Sequence, residues 1–214
     1  MRPIFGSSLT KKLVMALAGL FLILFLLVHL SINLLILSDD PERYNRVAHF
    51  MASNPVIKVI EVVLMLSFLI HFIWGLVLQI QNWIARSFRY RTTHSSQTSF
   101  FSKYMIYTGV IILIFLILHF LNFFFVKLGL VEGDPENFYG MAYELFRNPM
   151  YTIIYLICFL ILAFHLNHAF QSAFQTLGLN HPTYTPVIKG LGLLYSIVVP
   201  AGFSIIPIVI CFFK

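Results

Sequence analysis

The chain has 214 residues, 59% of them hydrophobic and 10% charged, with a mean hydropathy of +0.88. Soluble domains carry about 25% charged residues, so this composition excludes a water-soluble globular enzyme and points to an integral membrane protein. The net charge of +6 comes from basic residues at the ends of apolar segments; that placement suits lipid head groups or a partner subunit, and no nucleic-acid patch is formed.

A helix crosses the hydrocarbon core with about 20 apolar residues, and five stretches qualify: 12–38, 56–85, 100–128, 150–177 and 187–213. Residues 1–11 read as a short interfacial lead-in. The first apolar run exceeds the 7–15 residues or so of a signal h-region, so it is expected to remain as the first span. Residues 38–55 join spans one and two, where Asp39-Asp40-Pro41-Glu42 caps a short surface helix that Asn54-Pro55 breaks. Residues 86–99 form a polar loop between spans two and three. Residues 129–149 form the next connection, with a short helix near 138–147, and 178–186 make a tight turn before span five. No strand pattern, heptad array or low-complexity tract interrupts this order. The expected fold is an all-α bundle of five transmembrane helices, one domain over 1–214, with no room for a soluble catalytic domain.

If the N-terminus is cytoplasmic, eight of the 14 basic residues fall on the inner side and six on the outer side, and all eight acids fall outside. That modest bias follows the positive-inside rule and places the C-terminus outside. Cys158 and Cys211 lie within spans and read as small apolar core residues, with no haem-attachment or disulfide pattern.

Five of the eight histidines lie inside spans: His29, His71, His119, His165 and His168. One intramembrane histidine is readily explained by a hydrogen bond to a neighbouring helix; one on each of four successive helices asks for more. At 1.5 Å per residue, His29 and His119 lie about 12–15 Å from the outer ends of their spans. His71 and His165 lie about 24 Å from theirs. The four therefore sort into two layers about 10 Å apart, His29 with His119 and His71 with His165. His168, three residues beyond His165, is an alternative ligand on the same helix. Two imidazoles per layer, with no thiolate or carboxylate, suit a b-type haem held between helices. Zinc wants three or four protein ligands in one layer, and copper remains open by ligand type. Gly75, one turn after His71, offers either clearance for a flat macrocycle or close helix packing.

In the pieces ALAGLFLILFLLVHL around His29, YNRVAHFMASNP in the outer loop, IHFIWG around His71, LHF at His119 and RNPMY with FHLNHAFQSAFQTLGL around His165, the chain resembles a known family. This is the single-chain, five-helix, two-haem membrane-anchor cytochrome b subunit of succinate dehydrogenase and fumarate reductase. The resemblance implies two haem b groups, a distal one held by His29 and His119 and a proximal one by His71 and His165, and it prefers His165 to His168. It implies an iron–sulfur subunit and an FAD-bearing flavoprotein on the cytoplasmic face of a bacterial inner membrane, in a complex whose dimerisation it leaves open. It also implies menaquinone or menaquinol exchanging electrons near the distal haem. Ala169 stands where the family usually has glycine, and Ala163 where some members carry a glutamate, so the proton route through that glutamate is expected to be absent.

Glu61, His49 and Glu42 are the candidates for proton transfer to and from quinone. Glu61 is the only carboxylate inside a span and would be costly there if unpaired; pairing with Lys58 or snorkelling to water is its plain alternative. His49 and Glu42 also read as ordinary solvated loop residues. Two rival functions remain, a cytochrome b subunit of another respiratory dehydrogenase and a transporter relaying protons through buried histidines. The latter would need broken helices or inverted repeats, and only Pro200 and Pro207 in span five interrupt anything.

Overall fold

A computed structural model describes residues 8–38, 40–85 and 100–214. In chain order these form α1 (Ser8–Asn33), a 3₁₀ turn (Leu34–Leu37), α2 (Pro41–Ser53), α3 (Pro55–Ala85) and α4 (Phe100–His119). A π-helical turn (Phe120–Phe124) follows, then α5 (Phe125–Lys127), α6 (Phe138–Arg147), α7 (Pro149–Thr176) and α8 (Thr185–Phe213). There is no strand among the described residues. Five helical stretches are long and apolar enough to cross a membrane: Leu9–Leu37, Pro55–Ile84, Tyr104–Lys127, Pro149–Thr176 and Thr185–Phe213. They agree with the expected spans to within a few residues. Residues 1–7 of the interfacial segment and the polar loop 86–99 lie outside the described residues.

The helix boundaries follow from local chemistry. Asp40 caps α2 by accepting from the Arg43 amide at 2.9 Å, with Pro41 in the first turn. Asn54 ends that helix and accepts the Val56 amide as α3 begins. Asn137 caps α6 and Asn148 caps α7 in the same way, at 2.8 and 2.9 Å. Gly129, with φ +69°, closes the end of α5, where an L side chain would be strained. The short surface helices expected near 41–53 and 138–147 therefore form where their caps stand.

The packed core sits at the end of the bundle that carries α2 and α6. Leu30, Ile36, Tyr44, Phe146, Tyr155, Phe159, Val199 and Phe203 form one buried cluster, joining α1, α2, α6, α7 and α8. In a bilayer, such contacts stabilise by close packing and hydrogen bonding, because lipid is as apolar as the side chains. Phe146, Tyr155 and Phe159 meet edge to face at 5.0 and 5.9 Å, a geometry worth about 0.5–1.5 kcal/mol per pair. The C-terminal Lys214 ties α8 to the same end, its ammonium donating to the Leu37 carbonyl at 3.2 Å. Span two is packed quite differently: none of the residues in its most apolar window is buried.

Candidate functional site

The up-and-down course of the helices brings the span histidines together in two pairs. The rings of His29 (α1) and His119 (α4) have centroids 5.9 Å apart with planes at 89°; those of His71 (α3) and His165 (α7) are 6.4 Å apart at 73°. Two imidazoles bound trans to one metal, each at about 2.0–2.1 Å, have centroids about 6.3 Å apart. Edge-to-face aromatic contact gives similar separations, so hydrogen bonding must decide between the two.

In the His71–His165 layer, the Nδ1–H of His71 faces the Met15 carbonyl of α1 at 3.3 Å. His165 Nδ1 lies 3.1 Å from Thr108 Oγ1 on α4. The Thr108 hydroxyl gives its own proton to the Met105 carbonyl at 2.9 Å, so it accepts from the His165 Nδ1–H. Both rings are thereby fixed as Nδ1–H tautomers, with the lone pair on Nε2, the arrangement of a metal-ligating histidine. Glycines back the two rings. A Cβ on Gly19 would lie 3.1 Å from the His71 ring, and one on Gly109 would lie 3.6 Å from His165 Cε1. A Cβ on Gly75 would lie 4.0 Å from the Met15 sulfur of α1, so the structure places this glycine in the α1–α3 contact beside this layer. His168 is half-buried on α7, one turn past His165.

The His29–His119 layer is lined with aromatic rings. Phe25 stacks on His29 at 5.1 Å and Phe203 tilts against it at 5.6 Å; Phe115, Phe123 and Tyr155 lie 5.1–6.3 Å from His119. Asn33 donates to the His29 carbonyl at 2.7 Å, and the same amide nitrogen lies 3.3 Å from His29 Nδ1. Tyr44 on α2 donates to Asn33 Oδ1 at 3.2 Å; burial pushes its hydroxyl up to about 12, so it stays a donor at neutral pH. His119 Nδ1 is buried with no hydrogen-bond partner. An orphaned polar atom of this kind calls for an explanation, and the π-helical turn starts at the next residue. Turns of that type cluster at functional sites.

Gly19 precedes His29 by ten residues on α1, and Gly109 precedes His119 by ten on α4. Each of these helices therefore gives a histidine to one layer and a glycine to the other, about 15 Å apart along the helix. That is deeper than the roughly 10 Å reached by counting from the span ends. The sequence reading did not single out Gly19, Gly109, Thr108 or Asn33. The repeated Gly-x9-His spacing in spans one and three was the available signal.

Among the described residues no group of three or more His, Cys, Asp or Glu side chains is placed to hold a metal ion. Two imidazoles per layer are too few for a bare ion but suit a group that brings its own equatorial ligands, as haem does. The fixed Nε2 lone pairs, ring separations and glycine clearance fit such a group in the His71–His165 layer. Ring separation and the aromatic lining fit it in the other.

Glu61 is not unpaired. Lys127 on α5 reaches it with Nζ–O distances of 2.8 and 3.1 Å, so the premise of a lone intramembrane carboxylate is corrected, and its partner is Lys127, not Lys58. The π-helical turn inserts extra chain per turn between His119 and Lys127, so plain helical counting does not reveal this contact. His49 is bonded to the Glu136 carbonyl at 2.9 Å and its carboxylate at 3.1 Å, tying α2 to the loop before α6. Glu42 lies exposed in the first turn of α2, 3.4 Å from Arg46. These three residues do not form one cluster: Glu61 lies between α3 and α5, while His49 and Glu42 lie on α2.

Compared with protein-family models, curated proteins and solved structures, the chain matches none.

Proposed function

We propose that this chain is a dihaem cytochrome b membrane anchor, passing electrons between a lipid-soluble quinone and an iron–sulfur subunit of a succinate dehydrogenase or fumarate reductase complex. The observation that carries the reading is the pair of imidazoles in each of two layers, one pair locked with both Nε2 lone pairs available. The sequence pieces that resemble the family support the same assignment.

On this reading His71 and His165 hold one haem and His29 and His119 the other; when bound, haem iron supplies one-electron transfer. The chain's own part is to fix geometry and basicity. Met15 and Thr108 fix the tautomer and orientation of two of the ligands, and such outer partners raise ligand basicity. The aromatic lining keeps water from the His29–His119 layer. That layer lies toward the α2 and α6 end, which the charge bias makes the outer face. The opposite end, where α3 ends, α4 begins and α7 connects to α8, would dock the iron–sulfur subunit and, beyond it, the FAD-bearing flavoprotein. Glu61, His49 and Glu42 remain the proposed proton-handling groups for quinone, Glu61 now acting from within an ion pair.

A reduced-minus-oxidised visible spectrum of the purified protein tests the assignment. Low-spin b-type bands are expected; a spectrum without haem bands would overturn it.

A further inference from the structure

The helices that carry the two histidine layers stand around them in the order α1, α3, α4, α7, and the sides of this bundle are not equally closed. α1 packs against α3, α4 against α7 and α1 against α7, while α8 lies along α7 and α1. Among the described residues the α3–α4 side is the most thinly packed, and α8 backs the opposite one. The ties at the rings follow the same division. His71 on α3 is held to α1 through the Met15 carbonyl and Gly19, and His165 on α7 to α4 through Thr108 and Gly109. Across the α3–α4 side, Phe68 and Phe120 meet edge to face with centroids 6.4 Å apart, and at the α2 and α6 end Lys127 holds Glu61. Phe68 is one turn before His71, and the Phe120 ring lies 6.4 Å from that of His119, so the aromatic contact stands beside both layers.

A flat apolar group bound between these helices has to pass one of the sides or ends of the bundle. At the α2 and α6 end the way is filled by the buried cluster around Leu30, Ile36, Tyr44 and Phe146. Parting α7 from α1 and α8 would break up Tyr155, Phe159, Val199 and Phe203, all buried. Parting α3 from α4 exposes little that is now covered, since no residue in the most apolar window of span two is buried. In a bilayer, separating apolar faces costs only their mutual packing, because lipid solvates them equally well. The thinnest side is therefore the cheapest to open. Separating an ion pair in hydrocarbon is expensive, so Glu61 and Lys127 are what holds this side shut.

We propose that the α3–α4 seam is a lateral gate through which haem enters and leaves the bundle from the bilayer, with Phe68 and Phe120 as its leaves and the Glu61–Lys127 ion pair as its clasp. The proposal rests on the dihaem reading for the group that passes. Each layer has one ring on a gate helix, His71 on α3 and His119 on α4, so parting the two helices opens both layers. The partner rings, His165 and His29, stay in place on α7 and α1, the helices that α8 supports. The ion pair within the span thereby gains a mechanical use, which is to set how often the seam opens.

Two rates read the gate without turnover: haem uptake by the full-length chain produced without it, and haem transfer from the loaded chain to apomyoglobin. In a Cys158→Ala, Cys211→Ala background, Phe68→Cys with Phe120→Cys is bridged by a short bismaleimide, and N-ethylmaleimide on the same variant is the unbridged control. The bridge should slow uptake and release about tenfold or more. A disulfide between α7 and α8, at Phe170→Cys and Gly192→Cys, where the Cβ positions lie 3.4 Å apart, should leave both rates unchanged. Glu61→Gln with Lys127→Ala, which removes the clasp without stranding a charge, should speed release about threefold. A seam bridge that changes neither rate, equal slowing by the α7–α8 disulfide, or native release from the clasp variant would overturn the gate. If Phe68→Cys with Phe120→Cys takes up no haem even unbridged, the clasp variant alone decides. A native chain that shows no haem bands and takes up no haem would instead sink the dihaem reading, and the gate with it.

Discussion

The two histidine layers differ in what holds them. In the His71–His165 layer, each ring is fixed by the hydrogen bond it donates to a neighbouring helix and is backed by a glycine. In the His29–His119 layer the rings are held by packing. His119 Nδ1 has no partner, and the atom facing His29 Nδ1 is itself a donor, the Asn33 amide nitrogen. On the dihaem reading, one layer is set in advance as a pair of Nε2 ligands, and the other must adjust at Asn33 and His119 before both rings can serve that way. Preset outer-shell hydrogen bonds are worth about 10–100-fold in metal-site affinity, so the His71–His165 layer should fill first and release its haem last. Stepwise addition of haem to protein produced without it, followed spectroscopically in His119→Ala and His165→Ala backgrounds, reads that order directly. Equal affinities would break the contrast.

The largest single effect is expected from the ligands themselves. His165→Ala should remove one haem of two, whereas His168→Ala, one turn away on the same helix, should leave both bound. Loss of haem from His168→Ala alone would reassign the α7 ligand. Gly19→Val comes next. A Cβ there already stands 3.1 Å from the His71 ring, and two further methyls displace it, so the His71–His165 haem should be lost. Gly109→Ala meets His165 at an ordinary 3.6 Å and should retain it. Haem content of the two variants checks the difference.

A smaller effect is expected at the ion pair between α3 and α5. Lys127→Ala leaves the Glu61 carboxylate unpaired within a span. Both side chains are about a quarter exposed, so the cost should be about 1–3 kcal/mol, less than the 3–5 of a fully buried pair. Thermal inactivation in detergent should show the loss, and adding Glu61→Gln should restore most of it. A double variant no better than Lys127→Ala would mean that the carboxylate is not the source of the cost. Smallest of all, Thr108→Val removes the acceptor for His165 Nδ1–H and should weaken haem retention at that layer about tenfold, leaving the His29–His119 layer unchanged.

Much of this arrangement is legible in the sequence because a bilayer restricts the choices. Spans follow from runs of apolar residues, and the surface helices from Asp40-Pro41, Asn54-Pro55 and Asn148-Pro149. The partnering of His29 with His119 and His71 with His165 follows from depth along helices of alternating direction. What could not be read is which way each helix faces. α4 is apolar all round, so no stripe marks its inner side, and the roles of Gly109 and Thr108 emerge only from their neighbours on α7. The contact between Lys127 and Glu61 was hidden by the π-helical turn, which changes the register between His119 and the end of the span. Asn33 and Tyr44 were missed because their connection to His29 crosses from a span to a surface helix.

The central claim is that each histidine pair holds one haem, and its most direct test is the haem-to-chain ratio of the purified native protein, from pyridine haemochrome absorbance against quantitative amino-acid analysis. The account predicts two haem b per chain. A ratio of one or none would contradict it.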